Sequence, residues 1–135
     1  MGEFDQQVIT EFRANGGKVG GYFEGMDLIL LTTKGAKSGV SRIVPLVVFT
    51  IDDELAIVGS KGGAPTHPDW YHNLLANPDV SIEMGTEQFN ARATPLSETK
   101  RAEAYIKVVE AVPGFGDYEK KTTRVIPVVK LERIP

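Results

Sequence analysis

The 135-residue chain contains no cysteine, which removes disulfides, thiolate metal sites, cysteine-ligated iron–sulfur clusters and cysteine nucleophiles. Any redox chemistry must therefore come from a bound group. Histidine is nearly as scarce, since His67 and His72 are the only two. They lie five apart without an HExxH pattern, so no metal site is expected. A membrane-spanning run is also missing: the longest apolar stretch, 43–51, is interrupted by Pro45 and Thr50 and is far shorter than the roughly 18–20 residues a span requires. Met1 to Glu11 carries three acids and no cationic leader before an apolar run. It does not read as a secretory signal, and the expected location is cytoplasmic. A formal net charge of -3 argues against a surface that is one broad footprint for nucleic acid.

The length and the 41% hydrophobic content suit one domain spanning 1–135. Phe4, Val8, Ile9 and Phe12 share a helical face and Asn15-Gly16-Gly17 supplies a stop, which predicts an amphipathic helix over about 3–15. After a glycine-rich loop, residues 27–33, 42–51 and 54–60 read as strands. A helix over 69–76 follows, then a hairpin of 80–84 and 87–94 about Gly85-Thr86. A helix that Ser97 can cap, a brief polar helix near 117–121 and a closing strand from Val125 to about Glu132 complete the chain. Consecutive strands interrupted by helices do not match the regular alternation of a doubly wound sheet. The predicted fold class is α+β, mainly β: a closed or split antiparallel barrel of about six strands with flanking helices. Pro45, which cannot donate to a sheet ladder, should lie at an edge or bulge, with backbone open to a ligand.

Charge is unevenly spread. Between Leu28 and Ile51 there are three cations, Lys34, Lys37 and Arg42, and no acid. Gly35 and Gly39 can turn backbone N–H groups toward an anion, Ser38 adds a hydroxyl, and Arg42 can grip a phosphate through two parallel hydrogen bonds. Taken alone, the loop also fits an exposed turn carrying solvated lysines. It is not a Walker A loop, because Leu31 and Ala36 stand where that motif needs glycine. A second acid-free loop, Gly59-Ser60-Lys61-Gly62-Gly63, runs toward the helix bearing Trp70 and Tyr71. Its glycines suit close approach to a flat ring or a phosphate, or simply a tight turn. Ser97-Glu98-Thr99-Lys100 matches S-x-x-K formally, but the chain lacks the companion S-D-N element.

Several segments, taken in order, resemble the deazaflavin-dependent nitroreductase family, whose members bind coenzyme F420. They are Leu31-Thr32-Thr33-Lys34-Gly35-Ala36-Lys37-Ser38-Gly39, Arg42, Pro45-Leu46, Ser60-Lys61-Gly62-Gly63-Ala64, Pro68, Trp70-Tyr71, Asn73-Leu74, Ala76-Asn77-Pro78 and Arg124-Val125-Ile126-Pro127-Val128-Val129. The resemblance implies a split β-barrel and hydride transfer from reduced F420 to quinones, nitroaromatics or other electron-poor organic acceptors. It implies that Lys37, Ser38 and Arg42 hold the phosphate and acidic tail, and that Pro45, Val58, Gly59, Ser60, Lys61, Trp70 and Asn73 line the ring and ribityl chain. Tyr118 and Ser60 become candidates for donating or relaying a proton, and Val112, Phe115 and Tyr118 for contacting the acceptor. Nitro-reducing relatives can present three tyrosines where this chain has Val112, Phe115 and Tyr118, which favours flat apolar acceptors such as quinones or unsaturated lactones. Similar barrels bind FMN, so an FMN oxidoreductase and a non-catalytic F420 carrier stand as alternatives. The expected partner is a small-molecule acceptor, including membrane quinones reached from the periphery, and not nucleic acid. The sequence does not choose between a monomer and a small homo-oligomer.

Overall fold

The computed structural model describes residues 3–135, and all their side chains except those of Glu3 and Tyr22. Met1 and Gly2, within the expected 1–135 domain, lie outside the described residues. The chain begins with α1 (Glu3–Ala14), followed by β1 (Leu28–Lys34), β2 (Ser41–Val47), β3 (Phe49–Ile51) and β4 (Glu54–Val58). Next come α2 (Asp69–Ala76), the hairpin β5 (Asp79–Met84) and β6 (Glu87–Pro95), α3 (Glu98–Ala111), α4 (Gly114–Lys120) and β7 (Val128–Arg133).

Among the described residues the strands form one seven-stranded sheet in the order β2-β1-β5-β6-β7-β4-β3, and every pairing is antiparallel. β2 and β3 occupy opposite ends of that order, yet only Val48 separates them. Two Cα–Cα steps span at most about 7.6 Å, whereas the edges of a flat seven-stranded sheet stand about 29 Å apart at the usual strand spacing. The sheet must therefore curl until its edges nearly meet, which makes the split barrel expected from the sequence.

This closure corrects the reading of 42–51 as one strand. Val48 leaves the ladder and donates its N–H to the Asp27 carbonyl at 2.9 Å, so the first half of the run pairs with β1 and the second with β4. The strand count rises from about six to seven. Pro45 lies on the edge strand β2, opposite Leu30, as its missing donor requires.

Strand parity divides the core. Ile29 and Leu31 of β1, Ile57 of β4, and Val129 and Leu131 of β7 turn into the barrel with Val80, Ile82, Trp70 and Leu74. The alternate residues meet the helices: Leu28 and Leu30 pack against Val8, Ile9 and Phe12 of α1, while Ala56, Val58 and Val128 pack against Ala104, Tyr105 and Val108 of α3.

Three boundaries differ from expectation. The last strand begins at Val128 rather than Val125, because Pro127 has no N–H to donate and its carbonyl instead accepts from Gly59 at 2.9 Å. Ser97 occupies the N-cap of α3, but its exposed hydroxyl makes no cap hydrogen bond. The brief polar helix starts three residues early, at Gly114, because Pro113 already has a helical conformation, with φ -56 and ψ -27.

Candidate functional site

The first loop follows β1 and is held down by α2. Asn73 accepts the Ala36 N–H through Oδ1 at 3.0 Å and donates through Nδ2 to the buried Thr33 hydroxyl at 3.2 Å. One turn later, Asn77 reaches the Lys34 carbonyl at 3.4 Å. The two asparagines share a helix face because their spacing is four.

The amides of Gly35 and Gly39 themselves are taken up within the turn. Gly35 N–H donates to the Val40 carbonyl at 2.9 Å, and Gly39 N–H to the Gly35 carbonyl at 3.0 Å. Val40 N–H donates to Ser38 Oγ at 3.1 Å. The turn closes on itself because four of its amides find acceptors within the loop or on α2. The amides of Lys37 and Ser38 have no partner among the described residues, and the exposed Lys37 and Arg42 line the same cleft as Ser38. Neither cation joins an ion pair among the described residues, unlike Arg13, Arg92, Lys107 and Arg133.

The second loop is held by a residue to which the sequence reading gave no role. Arg124 donates to the carbonyls of Ala64 (2.9 Å), Gly59 (3.0 Å) and Ser60 (2.8 Å), and its Nη1 lies 3.0 Å from His67 Nδ1. A guanidinium can only donate, so Nδ1 must accept and His67 carries its proton on Nε2. Burial, the Arg124 charge and His72, in that order, hold the His67 pKa below its ordinary value. Desolvation likewise lowers that of Arg124.

Within the clamped loop Lys61 sits at φ 45, a region that costs a non-glycine residue about 1–3 kcal/mol. Gly63, at φ +85, has no room for a side chain, because a Cβ there would lie 2.8 Å from Lys121 Cβ and 3.0 Å from the Tyr118 carbonyl. This close approach seats α4 on the loop. Ser60 is 8% exposed, and its hydroxyl makes no hydrogen bond among the described residues.

These parts enclose two neighbouring clefts. The larger, ≈ 1030 Å³, is lined by Lys37, Ser38, Arg42 and Asn73, with Asp5 and Asp69 at its wall. The smaller, ≈ 320 Å³, is lined by Pro45, Val58, Ser60, Lys61, Phe115 and Tyr118. Val44 and Trp70 line both. A polar, cation-bearing groove thus continues past the Trp70 indole into a mostly apolar slot.

Two residues expected at the site line neither cleft. Gly59 is used for packing: a Cβ there would lie 2.8 Å from Pro127 Cγ, and its carbonyl is held by Arg124. Val112 is the C-cap of α3, and its side chain turns into the cluster with Tyr105 and Val108. Conversely, Phe23 and Met26 of the glycine-rich loop complete the wall of the apolar slot. The sequence signalled them only as isolated apolar residues among glycines.

A curled antiparallel barrel with a cationic groove leading into an apolar slot defines a cofactor-binding split-barrel protein. The sequence pattern of the F420H2-dependent quinone reductases matches residues 5–133, and the chain belongs to that family. An F420H2-dependent quinone reductase of Mycobacterium tuberculosis is 38% identical over 126 residues, covering 90% of this chain and 85% of its own. A solved F420-H2 dependent reductase is 42% identical, covers 78% of this chain and 94% of its own, and superposes with a TM-score of 0.70. Another solved chain, described as a domain-swapped dimer, is 36% identical with a TM-score of 0.73, covering 94% of this chain and 95% of its own. The protein is an F420-dependent reductase, and its cofactor is coenzyme F420. Among the described residues, no helix is long and apolar enough to cross a membrane.

Proposed function

We propose that the chain reduces quinone-like and other flat, electron-poor organic acceptors in the apolar slot, with nitroaromatics as poorer substrates. The observation that carries this reading is the continuity of the two clefts at Trp70 and Val44. A cofactor with a flat ring at one end and a polyanionic tail at the other needs that sequence of surfaces, and the residues present fit it. When bound, reduced F420 supplies the hydride from its ring.

Lys37, Arg42, Ser38 and the amides of Lys37 and Ser38 would hold the acidic end by charge-assisted hydrogen bonds, each contributing about 1.5–3 kcal/mol. Pro45, Val58, Lys61 and Trp70 would flank the ring and exclude water from it. Asn73 acts one step back, since both of its polar ends already position Ala36 and Thr33. Ser60 and Tyr118 share the slot, where either hydroxyl can deliver or relay the proton that the reduced acceptor needs. Phe115 and Tyr118 form the acceptor side. With Val112 turned into the core, that side carries one tyrosine, which suits an apolar ring better than a nitro group.

The reading is tested by titrating the protein with F420 by fluorescence, then following oxidation of F420H2 against a panel of quinones, unsaturated lactones and nitroaromatics. Turnover of quinones above nitroaromatics is expected. Binding of F420 with no oxidation by any acceptor would replace the reading with the non-catalytic carrier.

A further inference from the structure

α4 carries the two acceptor-side residues, Phe115 and Tyr118, which pack against the cluster beside α3, and it rests on the second loop at Gly63. It is seven residues long, none of them buried, and its N-cap Pro113 makes no side-chain hydrogen bond. A helix that short does not persist on its own in water, so its position depends on what grips it.

α3 supplies a hydrogen bond and an ion pair to it. Tyr105, 3% exposed, donates its hydroxyl to the Phe115 carbonyl at 2.7 Å. Arg101, one turn earlier, places its guanidinium over the Tyr105 ring at 4.8 Å. It pairs with Glu119 of α4 at 2.8 Å and donates through Nε to the Ile126 carbonyl at 2.7 Å. One carbonyl and one carboxylate of α4 are thereby tied to the same face of α3, while the Phe115 ring meets Phe49 edge-on at 5.3 Å. Tyr105 lines neither cleft, so it acts on a ligand only through α4.

We propose that Tyr105, supported by Arg101, is a positioning residue that fixes α4 and thereby sets the width of the acceptor slot between Phe115–Tyr118 and the wall of Pro45 and Val58. The proposal rests on the reading of that slot as the acceptor site. Burial, then the neighbouring Glu119 carboxylate, push the Tyr105 pKa up to about 12, so the hydroxyl remains a donor throughout the working range of pH.

Tyr105→Phe removes the hydroxyl and keeps the ring, its packing and its contact with Arg101. Expected is a drop of about fivefold in kcat/KM for the acceptor, carried by KM, the fold-change that corresponds to one net buried hydrogen bond. The F420 dissociation constant should stay within about twofold, and backbone amide exchange should accelerate across 114–120 but not across the barrel strands. Phe115→Ala serves as the control for the slot itself. If Phe115→Ala raises the acceptor KM while Tyr105→Phe leaves both KM and the exchange of 114–120 unchanged, the positioning role is overturned and the acceptor site stands. Uniformly faster exchange in Tyr105→Phe also overturns it, by showing a general structural role. If Phe115→Ala leaves KM unchanged, the acceptor reading has failed and the proposal falls with it.

Discussion

Arg124 Nη2 and the Ser60 carbonyl lie 2.8 Å apart although 64 residues separate them in sequence, and the same guanidinium also holds the Gly59 and Ala64 carbonyls. Its removal leaves the Gly59 and Ala64 carbonyls without a donor among the described residues and the Ser60 carbonyl with only the Gly63 N–H. Arg124→Ala should lower stability by about 2–3 kcal/mol, since part-buried groups left unpaired cost roughly 1–3 kcal/mol each and water recovers some of that. Arg124→Lys should recover only part of it, because an ammonium cannot reach three carbonyls in the planar fork geometry. Denaturant melts measure both variants.

The unpaired cations of the first loop make a separable prediction. Lys37→Ala and Arg42→Ala should each weaken F420 binding by about 10- to 100-fold, corresponding to 1.5–3 kcal/mol per charge-assisted contact. Turnover at saturating cofactor should change little, because these groups lie in the groove and not in the slot. Affinity of the wild type should also fall as salt rises, and this dependence should be shallower in the variants. Fluorescence titrations at two ionic strengths decide the matter; equal affinities for all three proteins would remove the loop from the cofactor site.

Ser60 and Tyr118 share the apolar slot. Tyr118→Phe and Ser60→Ala should lower kcat while F420 affinity holds within a few-fold, with loss of a proton donor costing about 100-fold or more. If the two form one relay, the double variant should be no slower than the worse single variant. Steady-state kinetics with one quinone, paired with F420 titration, separates the two quantities. Unchanged kcat in both singles would place the proton source elsewhere.

His67 supplies a pH dependence with a definite sign. Its folded pKa is depressed, so between that value and the unfolded imidazole's roughly 6.5 the unfolded chain binds more protons. The stabilising effect is present above about pH 6.5 and is lost as pH falls through the folded value, when a protonated Nδ1 faces the Arg124 donor at 3.0 Å. The melting temperature should therefore drop on acidification below about pH 6.5, and His67→Gln should reduce that drop. A wild-type and variant pair of melting curves against pH tests this.

Much of the architecture was legible in the residues alone. The apolar run 28–31 marked a strand, although which of its residues face α1 and which face the barrel came only from the structure. Pro45 announced an edge strand, and the helix over 69–76 was readable to the residue. The cation-bearing loop, the glycine loop and Trp70 stood out because excess charge, turn residues and a lone large aromatic are local signals.

The sequence by itself determined most strands and helices and where the cations concentrate, since each follows from residue type and short-range spacing, and its motifs resembled those of F420-binding reductases. Only the tertiary structure decided that the run 42–51 breaks at Val48 to place its halves on opposite edges of the sheet. It also decided that the glycine amides are consumed within their own turn, that Val112 faces the core, and that Arg124 and Tyr105 hold the elements lining the slot. Closure of a barrel and the reach of a guanidinium or a phenol across it depend on distances between residues far apart in the chain, and those distances exist only once the sheet has curled.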